Sequence, residues 1–435
     1  MGQIKRYFQF DQFHTTWRRE IIAGLTTFAS MAYILFVNPN ILGITGMSKG
    51  AVFTATALAA AFGSILMGLL ARYPIALAPT MGINAFFAYT VVLGMHVSWQ
   101  TALAATLVAS IILIVITSLK LRDVIINAIP RDLKLAISAG VGLFITFIGL
   151  QEGGIVVADK STLVKIGSLT NNGTWLTIIG LIIMVILFIR QVPAAIFIGM
   201  ICTTVIGIVT GLIKMPHQII SPAPSLHGSF LVAVHHLGQI NTVQMWIVVI
   251  TFLLVTFFDT VGTIVGITEQ AGIIQDNKIP RIGRALVTES TSMTVGSLLG
   301  TSPVGAFVES SAGVAVGGRT GVVAIVVGIL FLISLLFSPI LAVVTNQVTA
   351  PALILVGILM AKSFGKIDWQ HFEIAVPAFL IIVGMPLTYS ISNGIAMGFI
   401  MYPITMIMAR RYKEINPLMY VLAVVFLIFM LILMK

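Results

Sequence analysis

Apolar stretches long enough to enter a lipid bilayer recur fifteen times along this chain, and no other feature constrains its fold as much. A hydrocarbon layer about 30 Å thick takes about 20 helical residues, fewer where a helix is broken. Within it every backbone polar group has to be paired inside the protein. On that measure spans are expected near 20–37, 51–71, 82–95, 98–118, 133–150, 174–190 and 193–213, then 243–267, 284–300, 306–318, 320–338, 348–362, 371–389 and 391–409, with a last run at 416–434. Composition agrees: 58% of the 435 residues are hydrophobic and 9% charged, against about 25% charged in soluble domains. A soluble enzyme, a nucleic-acid module and a disordered chain are excluded together. Cys202 is the single cysteine, so there is no intrachain disulfide and no cysteine-based metal cluster. Met1–Glu20 is polar and basic, unlike a cleavable signal peptide.

The basic residues orient these spans. With the N-terminus in the cytoplasm and strict alternation, nineteen of the 24 Lys and Arg fall inside. Only Lys49, Lys160, Lys165, Lys214 and Lys435 fall outside. That bias is the signature of a multi-pass protein of the cell membrane, and the net charge of +10 reads as its cytoplasmic rim, with no nucleic acid implied.

Seven spans, a connector at 214–242 and seven more imply two repeats, the second inverted relative to the first. The third span of each half is short and opens with helix breakers: Ala78-Pro79-Thr80-Met81-Gly82-Ile83-Asn84 in one, Gly300-Thr301-Ser302-Pro303-Val304-Gly305-Ala306-Phe307-Val308-Glu309 in the other. Asn84 lies 64 residues after the start of the first span, and Glu309 lies 66 after the start of the eighth. Paired interrupted segments at matching places mark the binding site of a secondary transporter. Half-helix N-termini supply free N–H donors there.

Three carboxylates fall within spans: Asp259, Glu289 and Glu309. A charge at the bilayer centre costs at least about 2.5 kcal/mol, so each has to face a partner or a wet cavity. Asp259 and Glu309 are candidates for substrate contact and proton handling, with a structural carboxyl as the alternative. Glu289 sits among Thr288, Ser290, Thr291 and Ser292, and is expected to be satisfied by those neighbours.

At these residues the chain resembles the AzgA-like purine permeases, a branch of the nucleobase–cation symporters. The matching stretches are Ala23-Gly24-Leu25-Thr26-Thr27-Phe28 with Met31-Ala32-Tyr33-Ile34-Leu35-Phe36-Val37-Asn38-Pro39, then Gly82-Ile83-Asn84-Ala85-Phe86-Phe87-Ala88-Tyr89-Thr90. They continue through Phe257-Phe258-Asp259-Thr260-Val261-Gly262-Thr263 to Gly300-Thr301-Ser302 and Glu309-Ser310-Ser311-Ala312-Gly313-Val314, running into Gly317-Gly318-Arg319-Thr320-Gly321. The resemblance implies an all-α, polytopic, uracil-permease-like fold of two inverted seven-segment repeats. Short β-strands precede the half-helices of segments 3 and 10. It implies a core of segments 1–4 and 8–11 (20–118 and 243–338) and a gate of segments 5–7 and 12–14 (133–213 and 348–409). Residues 1–19 form a cytoplasmic N-terminus, the repeats cover 20–213 and 243–410, and an extra helix occupies 411–435. On that pattern Asp259 and Glu309 match the family's substrate-binding acids, and Asn84 with Phe86 matches the segment 3 half-site. Ser302-Pro303-Val304-Gly305-Ala306 departs from the family's Thr-rich run, Phe307 replaces a common Tyr, and Thr288-Glu289-Ser290 replaces Ala-Asp-Ala.

A purine base suits such a site. It is a flat, uncharged ring with a rim of N–H donors and ring-N or C=O acceptors. A carboxylate accepts two rim N–H bonds, and Phe86, Phe87 and Phe307 offer aromatic faces for stacking. The expected function is uptake of purine bases, guanine or hypoxanthine first and adenine after them, by an elevator-type movement of core against gate. A proton is the coupling ion, carried by Asp259 and Glu309 with Thr263 beside them, and sodium is the lesser alternative. No cofactor, metal or enzymatic activity is expected, and a homodimer is admitted. The sequence has no G-x-x-x-x-G-K-[ST] loop and no H-E-x-x-H motif. His227, His235 and His236 read as surface loop, Asn172-Gly173-Thr174 as a sequon of a common kind, and Gly317–Gly321 as a tight turn anchored by Arg319. The rival on the same fold is an anion transporter of the sulfate-permease type, which two acids at the half-helix site disfavour.

Overall fold

The computed structural model describes residues 2–119, 129–215, 218–273 and 279–433, with the side chains of 2, 257–262, 342, 429 and 432–433 outside that description. Among the described residues, eight helices are long and apolar enough to cross a membrane: Trp17–Gly43, Lys49–Ala71, Trp99–Ser118, Arg131–Glu152, Asn172–Ile189, Gly321–Leu341, Asn346–Lys366 and Ile391–Met408. Shorter apolar helices at Met81–Gly94, Ala195–Val209, Val243–Thr256, Phe372–Leu387 and Pro417–Ile428 supply further segments. Segment 9 is the Ser/Thr-rich helix Ile282–Leu299, and segment 10 is only Ser310–Ala315. Each expected span therefore contains helix, with ends moved by a few residues.

Two of the segments are irregular near the centre of the molecule. Segment 1 is broken at Ala32–Tyr33 into Trp17–Met31 and Ile34–Gly43. Leu35 and Phe36 bond to the carbonyls three residues back, which tightens the turn there. Segment 3 widens into a π-helix over Phe86–Gly94. The connector after segment 5 holds an antiparallel hairpin that the sequence did not suggest, in which Val156–Asp159 (β2) pairs with Leu163–Ile166 (β3).

At the heart of the molecule two three-residue strands cross between the repeats. Leu77–Pro79 (β1) runs antiparallel to Val304–Ala306 (β4), with Leu77 opposite Ala306, Ala78 opposite Gly305 and Pro79 opposite Val304. All six residues are buried. Phe307 N–H bonds to Ala76 C=O at 3.0 Å, and Thr80 N–H to Pro303 C=O at 3.2 Å, so the ladder runs one residue past each end.

A two-stranded ribbon in this position leaves two outer edges, and an open edge at membrane depth is not tolerated. The segment before each strand closes them. Ser64 of segment 2 accepts the Leu77 N–H at 2.9 Å and donates to the Leu77 carbonyl at 3.1 Å. Glu289 of segment 9 accepts the Ala306 N–H at 3.2 Å. This corrects the expectation for Glu289. Its neighbours Ser290, Thr291 and Ser292 bond back to the carbonyls of Leu286, Val287 and Thr288 in their own helix, the usual habit of helical hydroxyls. The carboxylate serves the strand instead.

Packing runs in two sets. Segment 1 lies on segments 10 and 11, segment 2 on 11 and 9, and segment 4 on 9 and 8. Segment 5 lies on segments 12 and 13, segment 6 on 7 and 12, and segment 13 on 14. The last helix, Pro417–Leu433, packs on segment 14, with Phe426 edge-on to Phe399 at 5.6 Å.

Candidate functional site

The crossed strands aim two short helices away from one point, and the side chains at their starts form the candidate site. Segment 3 begins at Met81, with Thr80 as its N-cap and Asn84 within the first turn. Segment 10 begins at Ser310, with Glu309 at the N-cap position. The sequence placed both residues at the breaks, and the structure puts them there.

Asn84 is fully buried in a chain of side-chain hydrogen bonds that joins the repeats. Ser302 donates its hydroxyl to Oδ1 of Asn84. Ser302 also lies 3.3 Å from Oδ1 of Asn38. Asn38 in turn gives both amide hydrogens away, to Thr56 at 2.7 Å and Thr301 at 2.8 Å. The order of donors follows from Thr56, whose own hydroxyl hydrogen is spent on the Val52 carbonyl at 2.6 Å. Thr56 can therefore only accept, Asn38 has to donate, and Oδ1 of Asn38 faces Ser302. With Oδ1 of Asn84 taken by Ser302, its amide nitrogen is left buried without a partner among the described residues. A buried donor left unmade costs about 1–3 kcal/mol. A ligand acceptor would recover it.

Glu309 is different in kind. It retains some exposed surface while Val308 beside it is exposed. Its Oε1 accepts the hydroxyl of Tyr33 from the break in segment 1. Phe307, 4% exposed, lies against Tyr33 with ring centroids 6.4 Å apart. Phe86 is fully buried and edge-on to Phe252 of segment 8 at 4.8 Å, and Phe87 lies 6.3 Å from the same ring. These phenylalanines pack the seam between segments 3 and 8. Thr263 is buried in segment 8. Asp259 falls among residues 257–262, whose side chains are outside the described residues.

The far end of segment 10 is also pinned. Arg319 donates to the carbonyls of Val314 at 2.6 Å and Gly318 at 2.7 Å, which caps the half-helix, as its place in the Gly317–Gly321 turn implied. Glu20, fully buried in segment 1, accepts the backbone N–H groups of Arg319 and Thr320, both at 3.1 Å, and the Thr320 hydroxyl at 2.7 Å. A second polar cluster links segment 3 to segment 5. Tyr89 donates to Glu152, and the Tyr89 and Tyr389 rings meet edge-on at 5.6 Å. Tyr389 donates to Gln151 at 2.9 Å.

Sequence reasoning missed Tyr33, Asn38, Ser302 and Glu20 as functional neighbours. A usable signal existed for two of them: Tyr33 and Asn38 belong to the stretch Tyr33-Ile34-Leu35-Phe36-Val37-Asn38-Pro39, where an Asn-Pro pair follows directly on the first expected span.

Comparison with known proteins gives the family and the fold. Residues 18–397 match the family model Xan_ur_permease, described as Permease family. The guanine/hypoxanthine permease PbuG of Bacillus subtilis is 55% identical, covering 98% of this chain and 99% of its own. The adenine permease AdeP of Escherichia coli is 42% identical over 98% of this chain and 96% of its own. Among solved structures, the transmembrane domain of the cyanobacterial bicarbonate transporter BicA aligns with a TM-score of 0.60 at 14% identity, covering 88% of this chain and 97% of that one. The murine anion transporter Slc26a9, inward-facing, aligns at 0.63 and 10% identity over 91% of this chain and 69% of its own. Those two likenesses show the fold alone.

Proposed function

The chain belongs to the permease family, and from that premise we propose that it is a proton-coupled importer of purine nucleobases, guanine and hypoxanthine foremost. The observation that carries the reading is the pairing of an unused donor with an acceptor at the crossed half-helices. Asn84 has an amide N–H without a partner among the described residues, and Glu309, a partly exposed residue, has a second carboxyl oxygen beside the one that Tyr33 holds. A purine edge presents an N–H beside a C=O or ring nitrogen, which answers one acceptor and one donor. An anion does not. Glu309 would repel a bicarbonate or sulfate ion at contact distance, so the anion reading available to this fold is disfavoured.

The set of segments 1–4 and 8–11 is then the core that carries the base, and segments 5–7 and 12–14 are the gate it moves against. The N-terminus is cytoplasmic. Asp259 and Glu309 share the coupling proton, since substrate affinity and protonation of one site influence each other reciprocally. Purified protein in proteoliposomes, with an inward pH gradient and no sodium, tests this. Accumulation of labelled hypoxanthine that collapses with a protonophore is expected. Accumulation only with sodium would replace the coupling ion, and equilibration without accumulation would make the protein a facilitator. Asp259→Asn should insert normally yet not accumulate substrate.

A further inference from the structure

Tyr33 touches the carboxylate that the proposed function assigns to the base, yet in that reading it neither binds the base nor carries the proton. Its position is over-determined. Segment 1 runs along the whole of segment 10 like a rail, and each end of the half-helix is fixed to it. At one end Glu20 holds the backbone of Arg319 and Thr320. In the middle a Cβ on Gly313 would lie 2.1 Å from Thr27 Oγ1 and 2.6 Å from the Ala23 carbonyl oxygen, so the two backbones are in close contact. At the other end the break between Met31 and Ile34 turns the fully buried Tyr33 ring toward Phe307, and its hydroxyl reaches Glu309. Contacts at both ends and in the middle of the half-helix hold the phenol and the carboxyl in register.

The chemistry of the pair is specific. An ionised carboxylate only accepts hydrogen bonds, whereas a phenol both donates and accepts. Tyr33 therefore satisfies Glu309 as a carboxylate by donating. By turning its O–H it also satisfies Glu309 as an acid. Phenylalanine retains the ring and its contact with Phe307 but can do neither.

We propose that Tyr33 is the positioning residue for Glu309: it holds one carboxyl oxygen across the seam between the repeats and leaves the other for the base. The proposal rests on Glu309 being a substrate contact, and its test separates the two. Tyr33→Phe, Glu309→Gln and the double variant are purified, checked for wild-type thermal stability, and titrated with labelled hypoxanthine. One charge-assisted hydrogen bond corresponds to roughly tenfold in affinity, so Tyr33→Phe should weaken binding about tenfold by the same measure. It should add nothing in the Glu309→Gln background. Wild-type affinity in Tyr33→Phe, or the full loss repeated on top of Glu309→Gln, overturns the proposal. The infrared carboxyl band that vanishes in Glu309→Gln gives a readout free of substrate. It should move in Tyr33→Phe, and an unmoved band overturns the proposal whatever the substrate is. If Glu309→Gln binds hypoxanthine as wild type does, the substrate contact fails, and the band still decides Tyr33. Should Tyr33→Phe not fold, Tyr33→His, which keeps a ring and an N–H donor, enters the same titration and band measurement. Near-normal affinity and a band that stays close to wild type are expected, and a tenfold loss with a displaced band counts against the role.

Discussion

The two crossed half-segments, 76–94 and 303–315, share a backbone plan and differ in chemistry. Each is a three-residue strand followed by a short helix, each strand pairs with the other, and each outer edge is closed by the helix that precedes it. Ser64 does this for β1 and Glu289 for β4. The polar heads diverge. The first carries an amide, fully buried and tied by Ser302 and Asn38 into a neutral network. The second carries a carboxylate, on a partly exposed residue and held by one phenol. Their seats differ too. A Cβ on Gly82 would lie 2.5 Å from Val141 of segment 5, whereas one on Gly313 would strike segment 1. Inverted repeats have thus built a symmetric scaffold with one donor arm and one acceptor arm, the first close-packed at Gly82 against segment 5 and the second at Gly313 against segment 1.

Changes to the two arms should therefore have unequal consequences. The largest belongs to the acceptor arm. Glu309→Gln retains shape but loses a charged acceptor worth roughly 1.5–3 kcal/mol, so the dissociation constant for hypoxanthine should rise about tenfold to a hundredfold by that measure. Unchanged binding would remove the carboxylate from the site. Next come the seats. Gly82→Ala and Gly313→Ala should each lower stability by about 1–3 kcal/mol through overpacking. Val141→Ala should restore Gly82→Ala, since a side chain is its obstacle. Thr27→Ala should not restore Gly313→Ala, because the Ala23 carbonyl remains at 2.6 Å. Equal rescue of both in thermal unfolding would erase the distinction between the seats. Ser302→Ala should cost about 0.5–1.5 kcal/mol of binding by freeing Asn84 to turn, read by titration beside wild type.

The smallest effect is expected at the hairpin of β2 and β3. The Lys165 ammonium and the Ser161 hydroxyl hold the Asp159 carboxyl well below the usual carboxylate range. A depressed acid stabilises above its ordinary pKa of about 3.9 and loses that contribution only as pH falls further. Nothing should change there between about pH 5 and 8, by the same reference value. Asp159→Asn should leave the pH profile of uptake unmoved, and a displaced profile would place a titrating control outside the crossed helices.

Much of this arrangement was legible in the chain itself. Apolar runs gave the segments, paired helix breakers gave the two arms, and matching offsets singled out Asn84 and Glu309. The partners were not legible, because they are tertiary. Asn38 meets Thr301 across 263 positions and Tyr33 meets Glu309 across 276. Periodicity within a span carries no record of such pairs. Glu289 shows the same limit from the other side. Along the chain its Ser and Thr neighbours are partners enough, but the helix claims the hydroxyls of Ser290, Thr291 and Ser292, and the strand edge it serves is visible only in three dimensions. The hairpin at 156–166 was obscured by the polar, low-contrast composition of its connector.

Competition at one site tests the pairing of donor and acceptor arms most directly. Purified protein is loaded with labelled hypoxanthine and challenged with guanine, adenine, uracil and bicarbonate. Guanine should displace the label most effectively, with uracil weaker and bicarbonate without effect. Displacement by bicarbonate with no competition from purines would contradict that pairing and return the chain to the anion-transporting side of its fold.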